Sequence, residues 1–377
     1  MRNLGLIIIV LIFTSCMSSE TIEMYKTHIL EPTQSEEYVK LTDLFCDFEF
    51  IPLENNEKAF VSDIIKMNKV GDNYCIYDEG GTPLILQFDS TGKFVRQVGR
   101  LGNAKDEYNF ITDVAFNRKT KQTIVLTQDN KVKIYSDRGI FLYEKELDKN
   151  LLFKTIESYS DGYICSVAHT GEIGKSKKVL YFFDINFNPI GSQINRLPYS
   201  IQKPSFVRNG FQSRNSNFCF FDFYQSTFFL GRKNNGLVTD SYVLKSSNMV
   251  NTSNLYDGTF YKNPSHYDCI LSEFYFGDYL YGTMSFRGKL SSLIINFEED
   301  KAEIGTYGDW YPVIYDYDGD FVYSAVPADR LLELLDENSF IPNSTRNALI
   351  EALPLKADDI TPNDNFLILK MKIKKRK

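Results

Sequence analysis

Gly71-Asp72-Asn73-Tyr74-Cys75-Ile76-Tyr77 and Gly319-Asp320-Phe321-Val322-Tyr323 share one signature: a turn pair, then an aromatic residue opening a short apolar run. Asp161-Gly162-Tyr163-Ile164-Cys165, Asn217-Phe218-Cys219-Phe220 and Gly277-Asp278-Tyr279-Leu280-Tyr281 repeat it, and Lys121-Gln122-Thr123-Ile124-Val125-Leu126 is a weaker copy. The opening positions 74, 123, 163, 218, 279 and 321 are spaced by 49, 40, 55, 61 and 42 residues, a mean of about 49. A period of that size built from several short strands is the mark of a β-propeller, whose blades are four-stranded antiparallel sheets around an axis.

The first unit spells out four strands, at 62–70, 74–77, 84–88 and 93–98, separated by Gly71-Asp72, Gly80-Gly81-Thr82-Pro83 and Ser90-Thr91-Gly92. The second repeats the last hairpin, with Ile134 to Phe141 echoing Gln87 to Phe94 and Gly139 falling 47 residues after Gly92. Glycine suits a hairpin position of positive φ. In the third unit Phe183 to Ile190 does the same with one residue more. Six units fit, so the expected fold is an all-β six-bladed propeller. The last unit offers only three strands, at 313–317, 321–325 and 366–373. The orphan strand Phe48-Glu49-Phe50-Ile51-Pro52-Leu53 is expected to supply the fourth and close the ring. A helical insert is expected at about 327–360, where Leu331, Leu332, Leu334 and Leu335 have helical spacing.

Composition agrees with this reading. The 377 residues are 43% hydrophobic, with 30 Phe and 24 Tyr against one Trp and three His. Length alone would suggest two or three domains, but the repeats resolve it into one ring, and the aromatic excess is largely the recurring strand opener. A net charge of −7 argues against nucleic-acid binding, which needs a basic face. Three histidines leave little room for a histidine-driven enzyme or a His-rich metal site. Of the cysteines, Cys75, Cys165 and Cys219 occupy equivalent strands of different blades, too far apart for disulfides; they read as buried small apolar residues.

The address stands at the start. Arg2, an apolar run from Leu4 to Phe13, then Thr14-Ser15-Cys16 make a signal peptide over 1–15, too short for a permanent membrane helix. Cys16 resembles the lipidated cysteine of a bacterial lipobox, with Phe13 where Leu is usual, and acyl chains there would anchor the protein to a membrane. Residues 16–43 are polar and weakly patterned and are expected to form a flexible tether, leaving 44–377 as the propeller.

Phe50-Ile51-Pro52-Leu53-Glu54, the turn Phe88-Asp89-Ser90-Thr91-Gly92-Lys93-Phe94, and Gln97-Val98-Gly99-Arg100-Leu101-Gly102 ending in Glu107-Tyr108 resemble the six-bladed β-propeller lipoproteins of the Bacteroidota, a group with NHL-like and TolB-like propellers. The resemblance covers the chain from about residue 45 onward. It implies the fold and a lipid-anchored place in the cell envelope, at the outer membrane, much more than any activity. The usual loop of that family reads GRxGxGPGEY, and this sequence departs from it at Asn103-Ala104-Lys105-Asp106.

In an antiparallel blade the second-to-third loop and the crossover to the next blade emerge on one side. That side gathers the long segments 78–83, 99–110, 169–178, 195–204, 246–267, 286–289, 305–310 and 327–363, and long loops on a rigid ring favour a binding site there. The candidate ligand-binding residues are Arg100, Glu107, Tyr108, Tyr267, Arg287 and Trp310, with aromatic faces for stacking on a sugar or peptide. Arg100 and Glu107 read equally as a loop-anchoring ion pair, and Trp310 as packing against the next blade. Asp78, Glu79, Asp316 and Asp318 could reach a calcium ion in the central channel, although capping of strand turns explains them more simply. No cofactor is expected. His28 falls in the tether, and His169 and His266 fall in loops without a nucleophile pattern. The preferred expectation is a monomeric, non-catalytic module that binds a glycan, peptide or partner protein. The alternative is a hydrolase or lyase with a metal-assisted site in the channel. Three or more convergent carboxylates or amides with a bound ion at the channel mouth would favour the enzyme; an apolar channel, or one blocked by Lys or Arg, would favour the binder.

Overall fold

The computed structural model describes residues 25–159, 162–167, 177–196, 211–214, 217–231, 237–256, 258–354 and 359–374. The expected signal segment, Cys16 and His169 lie outside them. Six sheets form, and the opening residue of each repeat, aromatic in all but blade 2 where it is Thr123, lies in the second strand of its blade. Blade 1 comprises Ile64–Val70, Asn73–Asp78, Leu84–Phe88 and Phe94–Gln97; blade 2 comprises Ile111–Asn117, Gln122–Thr127, Lys131–Tyr135 and Phe141–Glu146. Blade 3 runs from Phe153–Tyr159 to Pro189–Asn195, blade 4 from Phe211–Arg214 to Asp240–Leu244, and blade 5 from Cys269–Phe276 to Lys301–Thr306. Ile314–Asp318, Phe321–Val326 and Leu367–Ile373 belong to blade 6, and Phe45–Pro52 completes it. Leu367 faces Pro52, Leu369 faces Phe50 and Ile373 faces Phe45 in that antiparallel pair, so the N-terminal strand closes the ring as expected.

The apolar side chains segregate into six clusters, one at each blade–blade interface. Alternation along each strand explains this, since both faces of a blade meet a neighbour. Cys75, Cys165 and Cys219 fall in three different clusters, and all three thiols are free and buried. Burial pushes the Cys75 thiol up to about 12. These are packing residues.

The hairpin glycines behave as expected in blades 1 and 2. Gly92 and Gly139 have φ of 83° and 72°, and a Cβ on Gly92 would sit 2.0 Å from the Pro52 carbonyl oxygen. In blade 3 the same position is held by Phe187 at φ 61°. Its ring stacks on Tyr163 at 4.2 Å and 4°, which offsets the cost of a left-handed backbone in a bulky residue.

The tether expectation needs correction. Lys26–Leu30 pairs in parallel with the outer strand of blade 4, and Thr33–Tyr38 pairs in parallel with the outer strand of blade 5. A helical turn, Leu41–Leu44, then leads into the closing strand. Edge pairing of this kind is carried by backbone amides and needs no apolar alternation, so a polar segment can form it. His28, assigned to the tether, stacks on Tyr242 at 4.4 Å, with Nε2 3.1 Å from Asp240 and Nδ1 2.7 Å from Asp300. That arrangement pins the strap across the gap between blades 4 and 5.

The insert contains two helices, Ala328–Leu335 and Asn343–Glu351, which bury Leu331, Leu334 and Leu349 against blade 6. Among the described residues no helix is long and apolar enough to cross a membrane. Of the C-terminal lysines, Lys370 pairs with Glu49 at 2.7 Å and Lys372 with Asp47 at 3.3 Å.

Candidate ligand-binding cleft

The crossover from blade 1 to blade 2, residues 99–110, is fixed along its length. Arg100 Nε donates to Glu107 Oε1 at 2.6 Å, and Ala104 N donates to Glu107 Oε2 at 2.8 Å. That backbone bond, with Arg100, holds the Glu107 carboxyl below its ordinary value. Tyr108 N donates to the Arg100 carbonyl at 3.0 Å, and Gly102 N donates to the Tyr108 carbonyl at 2.9 Å. The Tyr108 ring is fully buried, edge-on to Tyr135 at 6.2 Å, and Tyr135 Oη donates to the Asp106 carbonyl at 3.1 Å. Lys133 Nζ reaches the Lys105 carbonyl at 2.8 Å. Gly99 has φ 60°, and a Cβ there would lie 2.8 Å from the Tyr108 ring. Where the related pattern has Gly-Pro-Gly, side-chain bonds to Glu107, Tyr135 and Lys133 shape this loop.

The anchored loop presents two apolar side chains outward. Leu101 is 45% exposed and Phe110 is 72% exposed. Phe110 also holds φ at 43°, a left-handed conformation uncommon for a bulky residue, and its carbonyl is tied by Gln128 N at 3.0 Å. Such strain persists only where surrounding contacts impose it. The two residues wall a cleft of about 820 Å³, completed by Glu79 and Pro83 of blade 1, Gln128 of blade 2 and Lys154 of blade 3. Asn103 and Asn109 join them, Asn109 Nδ2 donating to Asn103 Oδ1 at 3.1 Å. The wall therefore combines an aromatic face, aliphatic surface, amides, one acid and one base, the mixture of apolar surface and a few polar groups found in small-molecule pockets.

The six candidates from the sequence separate into three places. Arg100 and Glu107 form the loop's anchor beside the cleft, and Tyr108 lies beneath it in the core. Tyr267 belongs to the crossover into blade 5, and Arg287 to the turn between that blade's second and third strands. Tyr267 Oη lies 3.1 Å from Thr259 Oγ1, and the Arg287 amide donates to the buried Asp268 at 2.6 Å. The Arg287 guanidinium sits over Phe286 and reaches Gln34 of the strap at 3.4 Å. Trp310 is only 8% exposed and packs with the insert; its amide donates to Asp309, which also accepts from Leu41 N at 2.8 Å and Thr345 Oγ1 at 2.6 Å. Trp310 and Tyr108 thus present no face to a ligand. Phe110 stands in the loop singled out from the sequence, but its exposure depends on a backbone angle that residue type would not suggest.

The central channel carries charge that is mutually engaged. Lys66 of blade 1 reaches Asp113 of blade 2 at 3.1 Å, Glu157 of blade 3 at 2.8 Å and the Ile156 carbonyl at 3.1 Å. Arg118, after the inner strand of blade 2, pairs with Asp316 of blade 6 and donates to carbonyls of Lys69 in blade 1, at 3.2 Å, and Ser213 in blade 4, at 3.5 Å. Contacts with blades on opposite sides place that guanidinium on the axis. Burial disfavours the Lys66 cation, but Asp113 and Glu157 outweigh it and hold its pKa above the ordinary value. Burial raises the Glu157 carboxyl despite Lys66. Asp316, a candidate calcium ligand, is taken by Arg118, and Asp318 lies 3.9 Å from Lys69. Asp78 caps its turn, accepting from Ser62 N at 2.9 Å and Asp63 N at 2.5 Å. Among the described residues no cluster of His, Cys, Asp or Glu has the makeup of a metal site.

One channel-side carboxylate has no such partner. Glu273, on the inner strand of blade 5, is half-buried as a residue, yet both of its carboxylate oxygens are buried without a hydrogen-bond partner. Burial raises its pKa to about 8.

Fold and cleft together define a six-bladed propeller whose loop-lined face carries an open cleft. The chain belongs to the family of the domain of unknown function DUF4934, whose model matches residues 24–372. That span includes the strap, so the parallel outer strands lie within the family's domain. A candidate exported protein from Bacteroides fragilis has a similar structure, with a TM-score of 0.70 at 13% identity over 92% of this chain and 100% of the other. BamB from Moraxella catarrhalis aligns at a TM-score of 0.39 and 10% identity over 71% of each chain. No curated protein matches the chain.

Proposed function

We propose that this protein is a non-catalytic binding module of the cell envelope, anchored through a lipid on Cys16, whose cleft on the loop-rich face takes a glycan, a peptide or a segment of a partner protein. The observation that carries the reading is Phe110, held exposed in a left-handed backbone over a cleft walled by amides and by Leu101. Conformational strain at an exposed aromatic is a feature of ligand clamps, and a pre-ordered loop lowers the entropic cost of binding. The mutual engagement of Lys66, Arg118 and their carboxylates supports the binder over a metal-assisted enzyme in the channel. The leader-like start of the sequence and the name of the Bacteroides relative support the envelope location.

The test is a glycan and peptide array screen with the full chain, repeated with Phe110→Ala. The reading expects at least one ligand class whose signal falls at least about tenfold in the variant, on the scale of losing an aromatic anchor. An empty array together with metal-dependent hydrolysis of an ester panel would replace the binder with the enzyme.

A further inference from the structure

A second cavity lies on the opposite side of the ring, where the first-to-second turns emerge. It opens between blades 5 and 6 and encloses about 320 Å³. Phe276 and Tyr279 form one wall, their rings stacked at 6.1 Å and 22°, and Phe276 is backed by Phe274 at 6.2 Å. Tyr281 and its cross-strand partner Ile294 form the floor, both buried. Leu44, the last residue of the helical turn before the closing strand, and Ile373, the last residue of the strand it pairs with, form the far wall. The cavity exists at the seam of the ring, where one wall is built from opposite ends of the chain.

Its chemistry is one-sided. Leu44, Phe276, Ile294 and Ile373 offer no hydrogen bond, and the Tyr279 hydroxyl is 3.4 Å from Asn296 Nδ2. The ring of Tyr281 leans towards Tyr311, at 5.2 Å. Only the rim is charged, by the exposed Lys374, whose ammonium donates to the Thr42 carbonyl at 2.5 Å and retains further donors. An aromatic slot with a cation at its mouth complements a molecule with an apolar tail and an anionic head. The size is at the small end of ligand pockets.

We propose that this seam cavity binds a medium-chain fatty acid or similar amphipathic carboxylate, its tail between Phe276, Tyr279 and Ile294 and its carboxylate at Lys374. The site is independent of the loop-rich cleft, so either can fail without the other.

The experiment titrates the full chain with sodium octanoate and, separately, with 1-octanol, following NMR shifts of ring-labelled tyrosine and binding heat. Octanoate is expected to saturate and to shift tyrosine resonances. Lys374→Gln should weaken octanoate by about threefold, the scale of one exposed ion pair, while leaving octanol unchanged. Ile294→Phe should abolish both by filling the floor. Should that core variant lose its fold by circular dichroism, the exposed Lys374→Gln decides alone. Absence of saturable octanoate binding, or octanoate affinity indifferent to Lys374→Gln, would overturn the proposal.

Discussion

Replacing Glu273 by Gln should stabilise the propeller above neutral pH and leave it little changed in acid. The reason is the environment of that side chain. Gln212 holds the strand around it, donating Nε2 to the Glu273 carbonyl at 3.0 Å and accepting from Tyr275 N at 2.5 Å, but nothing meets the carboxylate itself. Burial lifts its pKa from 4.5 to about 8, so the folded state keeps a proton that the unfolded chain gives up. Between those two values the native state binds more protons, and its stability falls as pH rises. At about 1.4 kcal/mol per unit, the loss across the window is on the order of 3–5 kcal/mol, complete above about pH 8. Gln has the same shape and no charge to bury. The assay is urea unfolding at pH 5, 7 and 8.5 for both proteins. The difference between variant and parent should grow by about 3 kcal/mol from the lowest to the highest pH. Parallel pH profiles, with a constant offset, would refute the assignment of a buried, unpartnered acid.

Other perturbations test the frame. Lys66→Met leaves Asp113 and Glu157 facing each other without their cation and should cost about 3–5 kcal/mol in urea unfolding at pH 7, with partial recovery near pH 5 as a carboxylate gains a proton. His28→Ala removes the contacts with Asp240, Asp300 and Tyr242, so the strap at 26–38 should become cleavable by protease at enzyme levels that spare the parent, while blades 1–3 keep their amide protection. Deletion of residues 45–52 opens blade 6 and should abolish the single cooperative melting transition; an unchanged melting temperature would contradict the closure.

The sequence made the blades legible because one local rule, a turn followed by an aromatic, recurs at second strands from Tyr74 to Phe321. Closure was legible too, since Phe50 and Leu53 had apolar spacing but no local partner. The strap was not. Lys26–Leu30 and Thr33–Tyr38 are held by parallel backbone pairing to edges more than 200 residues away, and such pairing leaves no side-chain period to find. At the third hairpin Phe187 replaces the glycine of Gly92 and Gly139, which only its stacking on Tyr163 explains. The site was half legible. Residues 99–110 were marked by length and by Arg100 and Glu107, but Tyr108 and Trp310, named as candidate ligand-binding residues, are packed inside. Phe110 escaped notice because nothing in a lone Phe announces a positive φ. The channel pairs join residues on different blades, such as Arg118 and Asp316, and so leave no mark in any single unit.

The central claim is that ligand is held at the cleft beside Phe110. Hydrogen–deuterium exchange of the full chain with its best array ligand tests it most directly. The account predicts added protection confined to residues 99–112, the turn at 79–83 and the neighbourhood of Gln128 and Lys154, absent in Phe110→Ala. Protection located instead in the central channel at Lys66, Glu157 and Glu273, or unaffected by that substitution, would contradict it.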